Sequence, residues 1–271
     1  MNPNKALWEK GDFTRLAKTM RGSGEAFVKS LGIGKGMKVL DLGCGDGTTA
    51  IPEARLGAEV LGVDIASNLV AAGNRRAQEE SLAGIRFQEG DACDLQGLED
   101  RTFDLVVSVF GAMFAPKPFE VAKEMVRVTK RGGRIVMGNW IPGDPTLVAQ
   151  ILKISSAYSP PPPEGFVSPM TWGVESNVRE RFKAAGVADD DIACTRDTFV
   201  FEFAGSPAQY VNEFRLYYGP TMNAFDAAAK NDKADTLQKE LEALFESQNK
   251  SGSPDRTRVE ATFLRVTVGV K

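Results

Sequence analysis

Apolar positions along this chain gather in short runs divided by polar, glycine-bearing breaks, and the runs follow two periods. Val39 to Leu42, Ala58 to Asp64, Ile85 to Gln88, Phe103 to Phe110 and Ile135 to Trp140 are compact apolar segments of strand length. Between them, Thr48 to Leu56, Asn68 to Ser81 and Phe119 to Thr129 carry the spacing and composition of helices. Strand and helix in alternation predict a parallel sheet covered on both faces. Phe103 to Phe110 (FDLVVSVF) is almost continuously apolar, as a strand buried on both sides should be. Pro52 is expected within about the first turn of its helix, where its missing N–H is tolerated. Arg131-Gly132-Gly133-Arg134 reads as a turn into the fifth strand.

The pattern is less regular at both ends. Trp8 to Met20 is a short aromatic-bearing segment ahead of a second helix near Gly24 to Leu31. Beyond Trp140, a short helix over Thr146 to Ser156 precedes Ser159-Pro160-Pro161-Pro162-Pro163, which must be an extended connection. Gly173 to Ala185 is helical in pattern, and Thr195 to Phe203 (TRDTFVFEF) alternates as a half-buried strand. A helical block from Pro207 to Asn249, broken near Gly219-Pro220, leads into a last strand over Thr257 to Val270.

The chemistry concentrates at Val39-Leu40-Asp41-Leu42-Gly43-Cys44-Gly45-Asp46-Gly47. A strand breaks into three alternate glycines and a helix follows, so main chain can approach a ligand closely and free N–H groups face it. The dinucleotide fingerprint G-x-G-x-x-G needs a third glycine one residue later than it stands here. Instead the nonamer, with Asp41 ahead of the glycines, resembles motif I of the class I S-adenosylmethionine-dependent methyltransferases. Asp64 closes the second strand about 20 residues past the turn, where a carboxylate can take both ribose hydroxyls. Glu124 to Trp140 (EMVRVTKRGGRIVMGNW) also resembles that family's later helix, turn and strand, so the likeness runs from Val39 to Trp140 with its motifs in order.

The resemblance implies an α/β fold: a doubly wound Rossmann-like seven-stranded sheet, parallel with an antiparallel last strand, plus helical cap insertions. It implies an N-terminal helical lid over 1–34, a cofactor-binding core over 35–140 continued at 176–205, cap insertions at 141–175 and 206–256, and a last strand at 257–271. S-adenosylmethionine is the implied cofactor and S-adenosylhomocysteine its product. Asp41, Gly43, Cys44 and Gly45 would surround it at the turn, Asp64 and Ile65 at the ribose and adenine face, and Asp91 and Ala92 at the adenine edge. The end of the fourth strand, where open α/β sheets place ligands, adds Val109 and Phe110. Trp8 and Phe13 belong to the lid under this reading; as packing residues they would staple an N-terminal helix to the core. Met113, Phe114, Trp140, Trp172 and Tyr217 are acceptor-side candidates, with ordinary packing as the alternative for the cap aromatics. No residue is assigned as a catalytic base.

Composition narrows the chemistry further. The 271 residues contain no histidine, which excludes a histidine base, a Ser-His-Asp triad and histidine-ligated metals. Three cysteines, Cys44, Cys93 and Cys194, form no C-x-x-C pair, so neither a disulfide framework nor a zinc site is expected, nor the multi-thiolate site of arsenite methyltransferases. No acid cluster suggests the metal-dependent catechol type, and no metal is expected. A net charge of −3 and the missing Asn/Asp-Pro-Pro-aromatic motif argue against a nucleic-acid partner. The polar N-terminus and the lack of about 18–20 consecutive apolar residues argue for a cytoplasmic protein without a membrane segment, acting on a small molecule. Two rivals remain, an NAD(P)-dependent oxidoreductase and a non-catalytic S-adenosylmethionine-binding protein; oligomeric state is open.

Overall fold

The structure, a computed structural model, describes residues 4–271. Seven strands form one sheet: β1 (Lys38–Leu42), β2 (Glu59–Asp64), β3 (Ile85–Glu89), β4 (Phe103–Val109), β5 (Thr129–Trp140), β6 (Ile192–Phe203) and β7 (Thr257–Gly269). Their spatial order is β3-β2-β1-β4-β5-β7-β6. The first five run parallel, and β7 lies antiparallel between β5 and β6. The chain moves outward from β1 through β2 to β3, then returns to start again at β4 on the other side of β1. That reversal opens a crevice at the carboxyl ends of β1 and β4, where such sheets bind ligands.

The helices are α1 (Lys5–Glu9), α2 (Phe13–Lys29), α3 (Ala50–Arg55), α4 (Ser67–Glu79), α5 (Pro118–Val128), α6 (Leu147–Ser156), α7 (Glu175–Ala184), α8 (Pro207–Tyr217), α9 (Gly219–Ala229) and α10 (Ala234–Gln248). Val39, Leu40, Leu105, Val106, Val107, Ile135 and Met137 are essentially inaccessible, because the central strands are covered on both faces. α6, from the connection after β5, packs on α10, and α10 also packs on α8 and α9 from the β6–β7 connection. Segments far apart in sequence thus form one helical layer beside the sheet.

Two local expectations change. The break between the two N-terminal helices lies earlier than expected: α1 ends at Glu9 and α2 runs unbroken from Phe13 to Lys29, with its first turn capped by the Asp12 carboxylate accepting from the Thr14 N–H. Gly24 does not interrupt it. A Cβ there would come within 2.6 Å of Thr48 Cγ2, so the glycine serves close packing of α2 on the loop before α3. Arg131 to Arg134 is not a turn ahead of the fifth strand but an irregularity inside β5, where the register passes from Phe103↔Thr129 to Leu105↔Arg134.

Candidate active site

The turn after β1 and the loop after β4 touch main chain to main chain. A Cβ at Gly43 would meet Gly111 Cα at 2.6 Å, and one at Gly111 would meet the Gly43 carbonyl oxygen at 2.3 Å. Only glycines allow this approach, which holds the crevice to its width. Ser108 links the same loops, donating to the Leu42 carbonyl at 2.6 Å and accepting from the Ala112 N–H at 2.9 Å. Phe110, between them, has φ +59, a left-handed conformation a bulky residue adopts only when its surroundings impose it. Its ring stacks on Trp140, with centroids 3.6 Å apart, and meets the edges of Phe199 and Phe263.

Above this crevice lies a cavity of about 940 Å³, counted with its mouth. Its lining combines main chain from Gly43 to Asp46, with Asp64, Ile65, Leu69, Gly90 and Ala92, and the aromatic and aliphatic side chains of Trp8, Phe13, Met20, Phe110, Phe114 and Phe199. α1 is tied over the mouth. The Glu9 carboxylate accepts from the Ser67 N–H and hydroxyl, Lys5 donates to Glu89 at 2.6 Å, and the Asn4 amide donates to the Phe114 carbonyl. Trp8 meets Phe114 and Phe13 edge to face, and Tyr218 packs behind them.

Asp64 is nearly buried, and its two carboxylate oxygens accept from the Gly45 N–H at 2.8 Å and the Ala66 N–H at 2.9 Å. Burial pushes its carboxyl up, against the backbone N–H bonds that favour the charged form. Each oxygen keeps a second lone pair for a ligand hydroxyl. Asp46, 1% exposed, takes the Arg21 guanidinium at 3.0 Å and lies 3.5 Å from that of Arg76. Cys44 is buried and its thiol pushed well up, first by burial and then by Asp64 and Asp41. A carboxylate at a strand end, glycine main chain beside it and flanking apolar residues suit a nucleoside with a diol.

Of the residues expected at the site, Trp8, Phe13, Gly43, Cys44, Gly45, Asp64, Ile65, Ala92, Val109, Phe110 and Phe114 line the cavity. Six others take different places. Asp41 is buried beneath the turn, accepting from the Thr49 hydroxyl at 2.5 Å; its carboxyl is pushed up to about 7, chiefly by burial. Glu53 of α3, fully buried and pushed well up by burial and by Asp41, faces it. The Asp91 carboxylate accepts from the Cys93 N–H at 2.8 Å, shaping its own turn while Gly90 and Ala92 reach the cavity. Met113 is 2% exposed and turned into the core. Trp140 backs Phe110 and does not line the cavity. Trp172 is buried against Phe182 and under the Arg181 guanidinium. Tyr217 lies under Arg15, and its neighbour Tyr218 is the one turned to Trp8 and Phe13.

Sequence reading also missed lining residues. Asp46 stands inside the recognised nonamer, and Met20 lies two helical turns from Phe13 on the same face of α2; both were within reach of the pattern. Phe199 comes from β6, and no local signal connects it to β1. No group of three or more His, Cys, Asp or Glu side chains able to hold a metal occurs among the described residues. No helix among them is long and apolar enough to cross a membrane.

Residues 40–137 match the family model described as a methyltransferase domain. An uncharacterised protein of Mycobacterium tuberculosis (strain H37Rv) is 31% identical over 244 residues, which is 89% of this chain and 86% of the relative. Demethylmenaquinone methyltransferase of Geobacillus sp. is 37% identical over 115 residues, 41% of this chain and 49% of that protein. Among solved structures, the YcgJ protein from Bacillus subtilis superposes with a TM-score of 0.60 at 20% identity, covering 92% of this chain and 99% of the other. Phosphoethanolamine N-methyltransferase 2 of Haemonchus contortus, solved with S-adenosyl-L-methionine, has a TM-score of 0.58 at 18% identity, covering 92% of this chain and 53% of that one. At such identities these two are likenesses of fold.

Proposed function

This chain belongs to the class I S-adenosylmethionine-dependent methyltransferases of the type 11 group, and from that premise we propose that it methylates a small, largely apolar molecule held beneath α1. The observation that carries this reading is the mixed lining of a single cavity, which offers a diol-binding carboxylate and glycine main chain together with the apolar walls of Trp8, Phe13, Phe114 and Phe199.

In this reading the Asp64 carboxylate accepts from the ribose hydroxyls. Ile65, Leu69 and Ala92 flank the adenine, and Gly43 to Gly45 with Val109 and Phe110 hold the amino-acid end. S-adenosylmethionine, when bound, supplies a methyl group on a sulfonium that already makes a good leaving group. The protein then needs to align acceptor and methyl and to keep water out. α1, latched to Ser67 and Glu89 and preceded by Asn4 on the Phe114 carbonyl, covers part of the cavity and shields it from water in this reading. The Geobacillus relative is named for a quinone-type acceptor, which agrees with apolar walls. In this reading the protein acts as a cytoplasmic enzyme on a free metabolite, not on nucleic acid.

Calorimetric titration with S-adenosylmethionine, S-adenosylhomocysteine and NADH in parallel tests this. Micromolar binding of the two sulfur nucleosides, and none of NADH, is expected. NADH binding alone would overturn the assignment.

A further inference from the structure

A second hollow, about 1380 Å³ counted with its open mouth, lies beside the glycine turn and is lined from α2, α3 and α4. Five cationic side chains line it: Lys18 and Arg21 of α2, Arg55 of α3, and Arg75 and Arg76 of α4. Its carboxylates are mostly taken. Glu80 pairs with Arg55 at 2.7 Å, Glu25 pairs with Lys29 at 2.8 Å, and Asp12 accepts from the Thr14 N–H and hydroxyl at the start of α2. Two guanidiniums are left to share Asp46, which is 1% exposed. Arg21 donates to one of its oxygens at 3.0 Å; Arg76 stands 3.5 Å from the other, which takes no hydrogen bond, and donates to the Asp46 carbonyl at 2.5 Å. The buried Nε of Arg21 still lacks an acceptor. Among the described residues, Lys18 and Arg75 make no ion pair or hydrogen bond, and Glu79 is the lining's sole carboxylate in the same condition.

We infer that this groove is a binding site for a phosphate-bearing anion, such as a phosphomonoester or a diphosphate, separate from the main cavity. The pairing leaves it short of negative charge. Arg55 is matched by Glu80, but Arg21 and Arg76 face one carboxylate between them, so Lys18, Arg75 and one guanidinium stand against Glu79 and the Asp12 cap. Burial, and then the Arg21 charge working against the pull of Asp46, disfavours the charged form of Arg76. A guanidinium does not shed its proton near neutral pH, so an anion is what relieves the repulsion. Phosphate suits the place better than a carboxylate, because it carries close to two charges and three acceptor oxygens, enough to engage Arg21, Arg76 and a cation of the rim together. Asp46 and Thr48 line the groove and the main cavity alike, so the anion bears on their shared wall without entering the cavity. The inference stands on the groove alone and does not depend on what the main cavity binds.

Calorimetric titration of the full chain with inorganic pyrophosphate, in about 0.15 M salt, is the test. A dissociation constant below about 1 mM is expected. Lys18 and Arg75 are exposed on their helices, so Lys18→Gln and Arg75→Gln should leave the fold intact and each weaken binding about fivefold or more. Glu79→Gln, which removes a repelling charge from the rim, should tighten it. S-adenosylhomocysteine should not displace the pyrophosphate. No binding up to about 10 mM would overturn the inference. So would an unchanged affinity in either Lys18→Gln or Arg75→Gln, an unchanged or weaker one in Glu79→Gln, or displacement by S-adenosylhomocysteine, which would put the anion in the main cavity instead.

Discussion

One part of the cavity's wall is main chain: Gly43, Gly45, Gly90 and the two N–H groups that hold Asp64. Another part is side chain, contributed by α1, α2, the loop after β4 and β6. Main chain is placed by the register of neighbouring strands, and its hydrogen bonds leave little freedom. The aromatic part depends on rings meeting edge to face across elements far apart in sequence, so its shape can change without disturbing the sheet. One part is suited to a constant ligand and the other to a variable one.

Substitutions can break that comparison in either part. The largest effect is expected from Gly43→Ala, which forces a Cβ to within 2.6 Å of Gly111 Cα at a residue with φ +69. Stability should fall by roughly 3 kcal/mol or more, with cofactor binding lost, as read by denaturant melts and calorimetry. A fold of normal stability would show that the two loops can separate. Asp64→Ala should then weaken S-adenosylmethionine binding by about 1–3 kcal/mol through lost hydrogen bonds to a charged group. Unchanged affinity would remove Asp64 from the ribose. Phe114→Ala acts on the aromatic part: acceptor KM should rise several-fold while cofactor affinity stays within about threefold. Were cofactor affinity to collapse, the two parts would not be separable.

Beneath the main-chain part, Asp41 and Glu53 form a buried acidic pair. Because burial raises the Asp41 carboxyl from 3.8 to about 7, the folded state holds a proton that the unfolded state releases between those values. Its contribution to stability is therefore present below about pH 4 and lost as pH rises through about 7. Melting temperature across that window should decline less steeply in Asp41→Asn; an identical decline would assign the effect to another group. The smallest effect is expected from Tyr217→Phe, since the ring supports Arg15 and stands apart from the cavity. Stability within about 0.5 kcal/mol of the parent and unaltered kinetics should result.

Legibility in the sequence follows the same division. Strands and glycine turn were readable because each is set within a few residues: continuous apolar runs need burial on both faces, and the turn needs residues without a Cβ. Asp64 and Phe110 were placed by the rule that ligands sit at carboxyl strand ends. Asp41 looked like a ligand residue by its place in the motif, yet its side chain turns beneath the turn toward Thr49 and Glu53. Aromatic residues in the cap could not be sorted by type alone. Trp140, Trp172 and Tyr217 proved to be supports or core, whereas Phe199, one of several apolar positions on an edge strand, lines the cavity.

The sequence by itself determined the sheet, the cofactor turn and the absence of histidine chemistry, since these depend on local backbone preference, periodicity and composition. Only the tertiary structure decided which aromatic residues share a wall, that α1 packs over part of it, and that two backbone N–H groups fix the Asp64 carboxylate. Those outcomes depend on contacts between residues as distant as Trp8 and Phe114, or Phe110 and Phe199, whose meeting is set by packing of the whole chain and leaves no mark at either position.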